Sequence, residues 1–170
     1  MINHLPDRLD LIATAEAGRQ LRGTVAVSSL ERLLPVLVSE EGELQVEMQL
    51  GKDPDGTRYL KGSIQGAVML KCQRCLENMS LPLDLGFRLG LVASDEAANT
   101  LSERYEPLLV TAEPAFIADV IAEEVLLAIP IVPRHSDRVD CQEFVKDYTP
   151  PQSEQRKNPF AVLAGLKSKQ

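Results

Sequence analysis

The strongest constraint on the fold is the alternation of apolar and polar side chains in residues 80–92, SLPLDLGFRLGLV. Apolar side chains at every second position are typical of a β-strand with one buried face. The segment therefore predicts a long strand, and it is the clearest strand in the chain. Its buried face is predicted to carry Leu81, Leu83, Leu85, Phe87, Leu89 and Leu91.

Two earlier segments predict strands that precede it. Residues 43–51, ELQVEMQLG, alternate in the same way and would bury Leu44, Val46, Met48 and Leu50. Residues 52–58, KDPDGTR, predict a turn, because proline presets φ and glycine accepts a positive φ. Alternation then resumes towards Cys72, with glycines that could mark bulges, through Tyr59 or Leu60, Ile64, Ala67 and Met69. The order strand, turn, strand, CxxC, strand predicts an antiparallel meander.

Helical spacing appears on either side of this meander. In residues 27–43, VSSLERLLPVLVSEEGE, the apolar repeat Leu30, Leu33, Leu34 and Leu37 predicts a short helix that Pro35 ends or kinks. Residues 93–104 are expected to form a polar, acidic loop, and residues 105–116 a short extended stretch. A helix is predicted to begin at or near Pro114, with one apolar face formed by Ile117, Val120, Ile121, Val125 and Ala128.

The end of the chain has a different composition. Residues 134–157 are polar and predict a linker, and residues 158–169, NPFAVLAGLKSK, predict a short amphipathic helix that docks on a partner or folds back on the core. Asn158 suits the helix cap and Pro159 the first helical position, and the apolar stripe holds Phe160, Leu163 and Leu166. The predicted fold is α+β: an antiparallel, partly closed sheet packed with a few short helices in residues 1–148. A disordered linker and the C-terminal helix occupy residues 149–170.

Composition limits where the protein works and what it binds. The three cysteines and the absence of a signal-peptide pattern favour a reducing cytoplasm over a disulfide framework. No apolar run approaches the ~20 residues that a membrane helix needs. The net charge of −7 argues against a protein that wraps nucleic acid over its whole surface. It favours a basic protein partner or a local patch for RNA, although it also fits an ordinary soluble protein.

Cys72 and Cys75 form the most specific motif of the chain. A redox dithiol is disfavoured, because its first cysteine belongs at a helix N-terminus and this pair lies between strands. A zinc knuckle fits a hairpin tip, but a closed structural site needs four ligands. Residues 133–141, PRHSDRVDC, offer His135 and Cys141, which would complete a Cys₃His set. The alternative, two thiols at a strand end with no metal, is favoured by the sequence alone.

No catalytic site can be identified from the motifs. The chain has no GxSxG, no glycine-rich phosphate loop and no HExxH, so we predict that it is not an enzyme and takes no small-molecule substrate. Glu124 falls in the middle of the apolar helix face, where an unpaired carboxylate is costly. It is predicted to be a structural buried charge, paired with an arginine such as Arg74, Arg88 or Arg134.

Four segments together resemble the YceD family, the large ribosomal RNA subunit accumulation proteins. They are LKCQRCLE (70–77), YEPLLV (105–110), AEEVLLAIPIVPRH (122–135) followed by Cys141, and KNPFAVLAGLK (157–167). The resemblance implies a bacterial cytoplasmic factor for the synthesis, processing or stability of 23S rRNA, with no established catalytic residues. Some family members carry a second CxxC-like pair, whereas this chain has only His135 and Cys141 in that region.

The resemblance and the residues combine into one hypothesis. The domain would act as an adaptor that engages a large-subunit ribosomal protein or an rRNA-processing factor, with rRNA contacted through a local patch. The expected partner-binding residues are Arg74, Asn158, Pro159, Phe160, Leu163 and Lys167. Two alternatives remain open, a zinc-stabilised protein-binding module with no direct rRNA role and an RNA-processing enzyme.

Overall fold

The structure, a computed structural model, describes residues 5–136 and Cys141, and the fold is given for these residues. Its elements follow the chain in this order: β1 (Arg8–Leu9), α1 (Leu11–Glu16), β2 (Gln20–Ala26), 3₁₀ turns at Val27–Ser29 and Leu34–Val36, β3 (Glu43–Lys52), β4 (Arg58–Lys71), β5 (Asn78–Val92), α2 (Asp95–Asn99), β6 (Glu106–Leu109), β7 (Ala115–Phe116) and α3 (Ile117–Ala128).

Five strands form the main sheet, in the order β2-β3-β4-β5-β6. Strands β2 to β5 pair antiparallel, each with the next along the chain, which confirms the predicted meander. Strand β6 adds to β5 in parallel, so the sheet is mixed, and it is open rather than partly closed. The predicted α+β class is confirmed.

Alternation places one face of the sheet in the core. The predicted inward residues of β3 are all buried, and so are Leu83, Phe87, Leu89 and Leu91 of β5. Helix α1 packs on β3 and β4, and helix α3 packs on β5. The opposite face carries the polar half of each strand and is mostly exposed.

The predicted inward face of β4 was only half right. Pairing of β4 with β5 runs unbroken from Tyr59 to Lys71, so no bulge shifts the alternation between these strands. The inward positions are therefore Leu60, Ile64, Val68 and Leu70, all of them buried. Ala67 and Met69, which were expected in the core, point to the other face, where Ala67 is exposed and Met69 half-buried.

A second, small sheet changes where α3 begins. Strand β7 pairs with β1 next to the N-terminal helix, so Ala115 and Phe116 are extended and α3 starts at Ile117 rather than near Pro114. Helix α1, which the sequence did not predict, is capped by the Asp10 carboxylate, which accepts a hydrogen bond from the Ala13 amide at 2.9 Å. Strand pairing thus sets the start of α3, and the Asp10 cap stabilises a helix that was not predicted.

Two further segments differ from their predictions. The helix expected around residues 30–37 is a series of 3₁₀ turns, in which Leu30 and Leu33 donate to carbonyls three residues earlier and are fully buried. Pro35 lacks an amide hydrogen and cannot continue an α-helical ladder. The expected loop at residues 93–104 contains α2, capped by Ser94. The linker and C-terminal helix predicted for residues 149–170 lie outside the described residues, and the domain boundary at residue 148 stays a prediction.

Candidate metal centre

The CxxC motif forms the tight connection between β4 and β5. The Cys72 amide donates to the Glu77 carbonyl at 2.9 Å, and the Leu76 amide donates back to the Cys72 carbonyl at 2.9 Å. The turn closes because Leu76 adopts a left-handed backbone with φ 64°, which is uncommon for a residue with a side chain. Both cysteines are buried at this hairpin tip, which is the setting that the sequence predicted for a knuckle.

Amide hydrogens are directed at the first thiol. Burial by itself raises the pKa of Cys72, but hydrogen bonds from the backbone amides of Cys75, His135 and Arg74 lower it, to about 5 overall. Hydrogen bonds to the charged form stabilise a thiolate, which is the species that binds metal ions. These hydrogen bonds therefore favour the thiolate form of Cys72.

The segment after α3 brings a histidine to the turn. The Gln73 amide donates to the Pro133 carbonyl at 2.8 Å, which ties residue 133 to the CxxC connection. Two residues later, His135 Nδ1 lies 3.5 Å from Cys75 Sγ, and its Nε2 lies 3.3 Å from the Asn78 carbonyl oxygen. A proton on Nε2 would donate to that carbonyl and leave the Nδ1 lone pair facing the thiols. Metal-binding histidines are usually oriented by such a bond from the other ring nitrogen.

The ligand atoms of Cys72, Cys75, His135 and Cys141 all lie within 4.8 Å of one another. A tetrahedral zinc with bonds of about 2.0–2.3 Å sets its ligands roughly 3.5–3.8 Å apart, so small shifts of these side chains would enclose an ion. The three thiols are buried and the imidazole is half-buried. The structure thus brings together the four residues that the sequence singled out, in a cluster that could bind a metal ion.

The other predicted site residues are placed as follows. Arg74, which lies between the two cysteines in the sequence, is half-buried, and its amide contributes to the lowered pKa of Cys72. Residues 158–167, with the rest of the predicted partner-binding set, lie outside the described residues. Glu124 is half-buried on α3, and burial together with the charges of Glu106 and Glu123 raises its pKa. The ion pairs of the described residues do not include Glu124, so its pairing with an arginine stays a prediction.

The polar face of the sheet was not among the sites predicted from the sequence. A shallow cavity of about 740 Å³ lies there, and its lining includes Lys61, Ser63, Gly86 and Arg88. Polar residues at alternate strand positions were visible in the sequence. Only the strand register shows which of them are neighbours.

Fold and site together define an α+β protein with an open mixed sheet and a Cys/His cluster suited to a metal ion. No helix in the described part of the chain is long and apolar enough to cross a membrane. The family model described as large ribosomal RNA subunit accumulation protein YceD matches residues 60–167. The chain belongs to this YceD family, which confirms the resemblance of its sequence segments.

A curated relative supports the same assignment over nearly the whole chain. The chain is 35% identical over 169 residues to a Haemophilus influenzae protein named large ribosomal RNA subunit accumulation protein YceD. The match covers 97% of each of the two chains. No solved structure matches the chain.

Proposed function

We propose that this protein is a non-enzymatic factor in the biogenesis of the large ribosomal subunit, needed for the synthesis, processing or stability of 23S rRNA. The observation that carries the proposal is the 35% identity with the Haemophilus influenzae protein, over 97% of both chains. Because the match spans nearly all of each chain, it concerns the whole fold and not one shared module. The expected location is the cytoplasm, where ribosomes are assembled.

The protein acts in this proposal as an adaptor that binds a large-subunit ribosomal protein, an rRNA-processing factor or rRNA. A net charge of −7 attracts basic partners and speeds their association, which suits the strongly basic proteins that bind rRNA. Arg74, within the CxxC turn, and the segment around Phe160 and Leu163 are the proposed contacts with the partner. The apolar stripe of that segment fits helix-in-groove recognition.

The Cys/His cluster has a structural role in this proposal and holds one zinc ion. Three thiolates and one imidazole form a ligand set that zinc prefers, and four protein ligands leave no open position for a substrate or water. Closed sites of this kind stabilise folds, whereas catalytic zinc sites keep a coordination position free. The zinc would join the β4–β5 hairpin tip to the residues around His135, next to Arg74.

The rRNA role is tested in cells that lack the protein. We expect a deficit of 23S rRNA relative to 16S rRNA and of large subunits in sedimentation profiles, both restored by the wild-type chain. Unchanged rRNA and subunit ratios in the deletion strain would refute the proposal. Affinity capture with and without ribonuclease then separates a protein partner from an RNA partner. A chain truncated after Tyr148 should remain folded and lose the protein partner.

The zinc site is tested on full-length protein purified without chelators. We expect about one zinc per chain, and loss of the metal in Cys72→Ser and His135→Ala variants, since each removes one of four ligands. The matched control is His4→Ala, which changes the chain's other histidine and should keep the zinc. Wild-type protein without stoichiometric metal, after growth in zinc-supplemented medium, would refute the site.

A further inference from the structure

The polar face of the main sheet carries an unusual arrangement of charge. Lys61 on β4 and Arg88 on β5 are directly opposite each other in the register of the two strands. Their side chains leave the same face of the sheet, with Cβ atoms about 5 Å apart, and like charges in such a pair destabilise a sheet. Both residues are exposed. A bound anion would offset the repulsion between the Lys61 and Arg88 charges.

The neighbouring cations are already neutralised, but this pair is not. Arg22 forms an ion pair with Glu47 at 3.2 Å, and Arg104 lies 3.2 Å from Asp53 and also contacts Asp55. In the part of the chain that the structure describes, neither Lys61 nor Arg88 forms an ion pair with a carboxylate. Of the four described cations that line the cavity, Lys61 and Arg88 are therefore the two without an ion pair.

The described acidic residues near the cavity do not form ion pairs with Lys61 or Arg88. Glu106 is paired with Leu89, whose side chain lies in the core, so the alternation of β6 directs its carboxylate to the helix side of the sheet. Its charge accordingly raises the pKa of Glu124 on α3. Glu103 and Glu106 are both among the residues that line the cavity, and neither forms an ion pair with Lys61 or Arg88.

The surface beside Lys61 and Arg88 is accessible to a ligand. Gly86 lies next to Arg88 on the same face, two residues along β5, opposite Ser63 on β4. The nearest atom to a side chain added at Gly86 would be the Gly62 carbonyl oxygen at 4.0 Å, so the backbone is accessible there. The Ser63 hydroxyl and this bare backbone leave room for a bulky, hydrogen-bonding anion such as a phosphodiester.

Two tyrosines extend the site along the sheet. The rings of Tyr59 and Tyr105 are stacked, with centroids 6.1 Å apart and an interplanar angle of 13°. Lys61 Nζ lies 5.8 Å from the Tyr59 centroid, and both tyrosines are only half-buried. Partly accessible aromatic rings beside cations on an open sheet are a combination that binds single-stranded nucleic acid, because bases can stack on the rings while phosphates contact the cations.

We propose that the cavity on the polar face of the sheet binds a short stretch of single-stranded RNA, with Lys61 and Arg88 contacting its phosphates and the tyrosine pair contacting a base. The identity of the polyanion rests on the proposed function, in which the protein works on rRNA. The aromatic pair favours RNA over an acidic peptide, since carboxylate side chains gain little from stacking. The site is small, which is consistent with a chain of net charge −7 that contacts RNA locally.

The proposal is tested by fluorescence anisotropy with a labelled single-stranded RNA oligonucleotide and the full-length chain. The double variant Lys61→Gln/Arg88→Gln should bind at least ~10-fold more weakly than wild type. It should also reduce the slope of log K against log salt by about 1.4, since each phosphate contact to a single strand contributes about 0.7. The swap Lys61→Arg/Arg88→Lys keeps both charges and should retain binding.

The matched control is Lys52→Gln, which removes one charge near Glu16 of α1, away from the polar face. It should leave the affinity within about twofold of wild type, because a distant surface charge is largely screened by salt. Thermal melting of each variant checks that the exposed substitutions leave the fold intact.

Three results would overturn the proposal: no RNA binding by wild type at low salt, equal weakening by the control, or an unchanged salt slope in the double variant. Displacement of the RNA by polyglutamate at equal charge concentration would instead identify a general acidic-ligand site. None of these results bears on the rRNA deficit in cells, so failure here is distinguishable from failure of the proposed function.

Discussion

Gly62 in the middle of β4 offers a direct test of the sheet register. It is the cross-strand partner of Met48 on β3 and of Phe87 on β5, and the Phe87 ring covers it on the core side. A methyl group added there would lie 2.5 Å from the Glu47 carbonyl oxygen and 2.6 Å from Phe87 Cζ. A Cβ atom essentially never comes within 3.0 Å of a heavy atom outside its own and the adjacent residues, so Gly62→Ala has to displace both neighbours.

The loss of stability in Gly62→Ala depends on how far the Phe87 ring and the Glu47 carbonyl can move. The Phe87 ring is buried, and the Glu47 carbonyl belongs to the backbone of β3, so neither group can rotate away freely. Overpacking of this kind costs about 1–3 kcal/mol. The reduced entropy of the unfolded alanine chain offsets roughly 0.4–1 kcal/mol of this cost. We therefore expect Gly62→Ala to lower the free energy of unfolding by about 1–2 kcal/mol.

Gly86→Ala is the matched control on the next strand. An added methyl group there meets no atom closer than the Gly62 carbonyl oxygen at 4.0 Å, and it points to the open polar face. The entropic term then acts alone, and we expect the free energy of unfolding to rise by about 0.4–1 kcal/mol. The two variants make the same chemical change on opposite faces of the sheet.

Urea unfolding followed by circular dichroism measures the difference. The two variants should differ by about 2 kcal/mol at similar m-values, because both unfold the same surface. A Phe87→Leu change in the Gly62→Ala background should recover part of the loss, since the carbonyl contact remains. Equal or greater stability of Gly62→Ala than of Gly86→Ala would refute the register and the assignment of the two faces.

The remaining predictions concern the helices and the metal centre. Asp10→Ala removes the α1 cap and should lower the free energy of unfolding by about 1 kcal/mol in thermal melts; no change would mean that the cap bond is absent in solution. The pKa of Glu124 is raised by burial and by Glu106 and Glu123, so ionisation opposes folding as pH rises through that pKa. Glu124→Gln should therefore raise the free energy of unfolding at pH 7 and lose this advantage below pH 4.5, the ordinary pKa of the carboxyl; the opposite pH trend would contradict this assignment. A chelator should lower the melting temperature of wild type and leave that of Cys72→Ser unchanged, and an equal response of both would argue against a structural metal.

The Leu76 backbone shows how local strain and a site can coincide. A left-handed conformation costs a residue with a side chain about 1–2 kcal/mol, and Leu76 adopts it immediately after Cys75. Strained backbone persists where the surrounding structure enforces it, and it clusters at binding sites. In this chain the turn needs that conformation to present both thiols on the side of His135.

Local patterns in the sequence were sufficient to predict several of the elements. Alternation over β3 and β5 and the turn at residues 53–57 follow from side-chain period and turn chemistry within a few residues. The same local information placed CxxC between two strands and named His135 and Cys141 as the candidates to complete its ligand set. It also contained the segments that mark the YceD family.

Features that depend on contacts between residues distant in the chain could not be predicted from such local patterns. Pairing of β1 with β7 moved the start of α3, and the unbroken register with β5 placed Val68 and Leu70 in the core. The same register set Lys61 opposite Arg88, and the tie between Gln73 and Pro133 brought His135 to Cys75. A sequence period shows which residues share a strand face, but only pairing between strands fixes which side chains meet. Both the Cys/His cluster and the Lys61–Arg88 pair depend on such contacts.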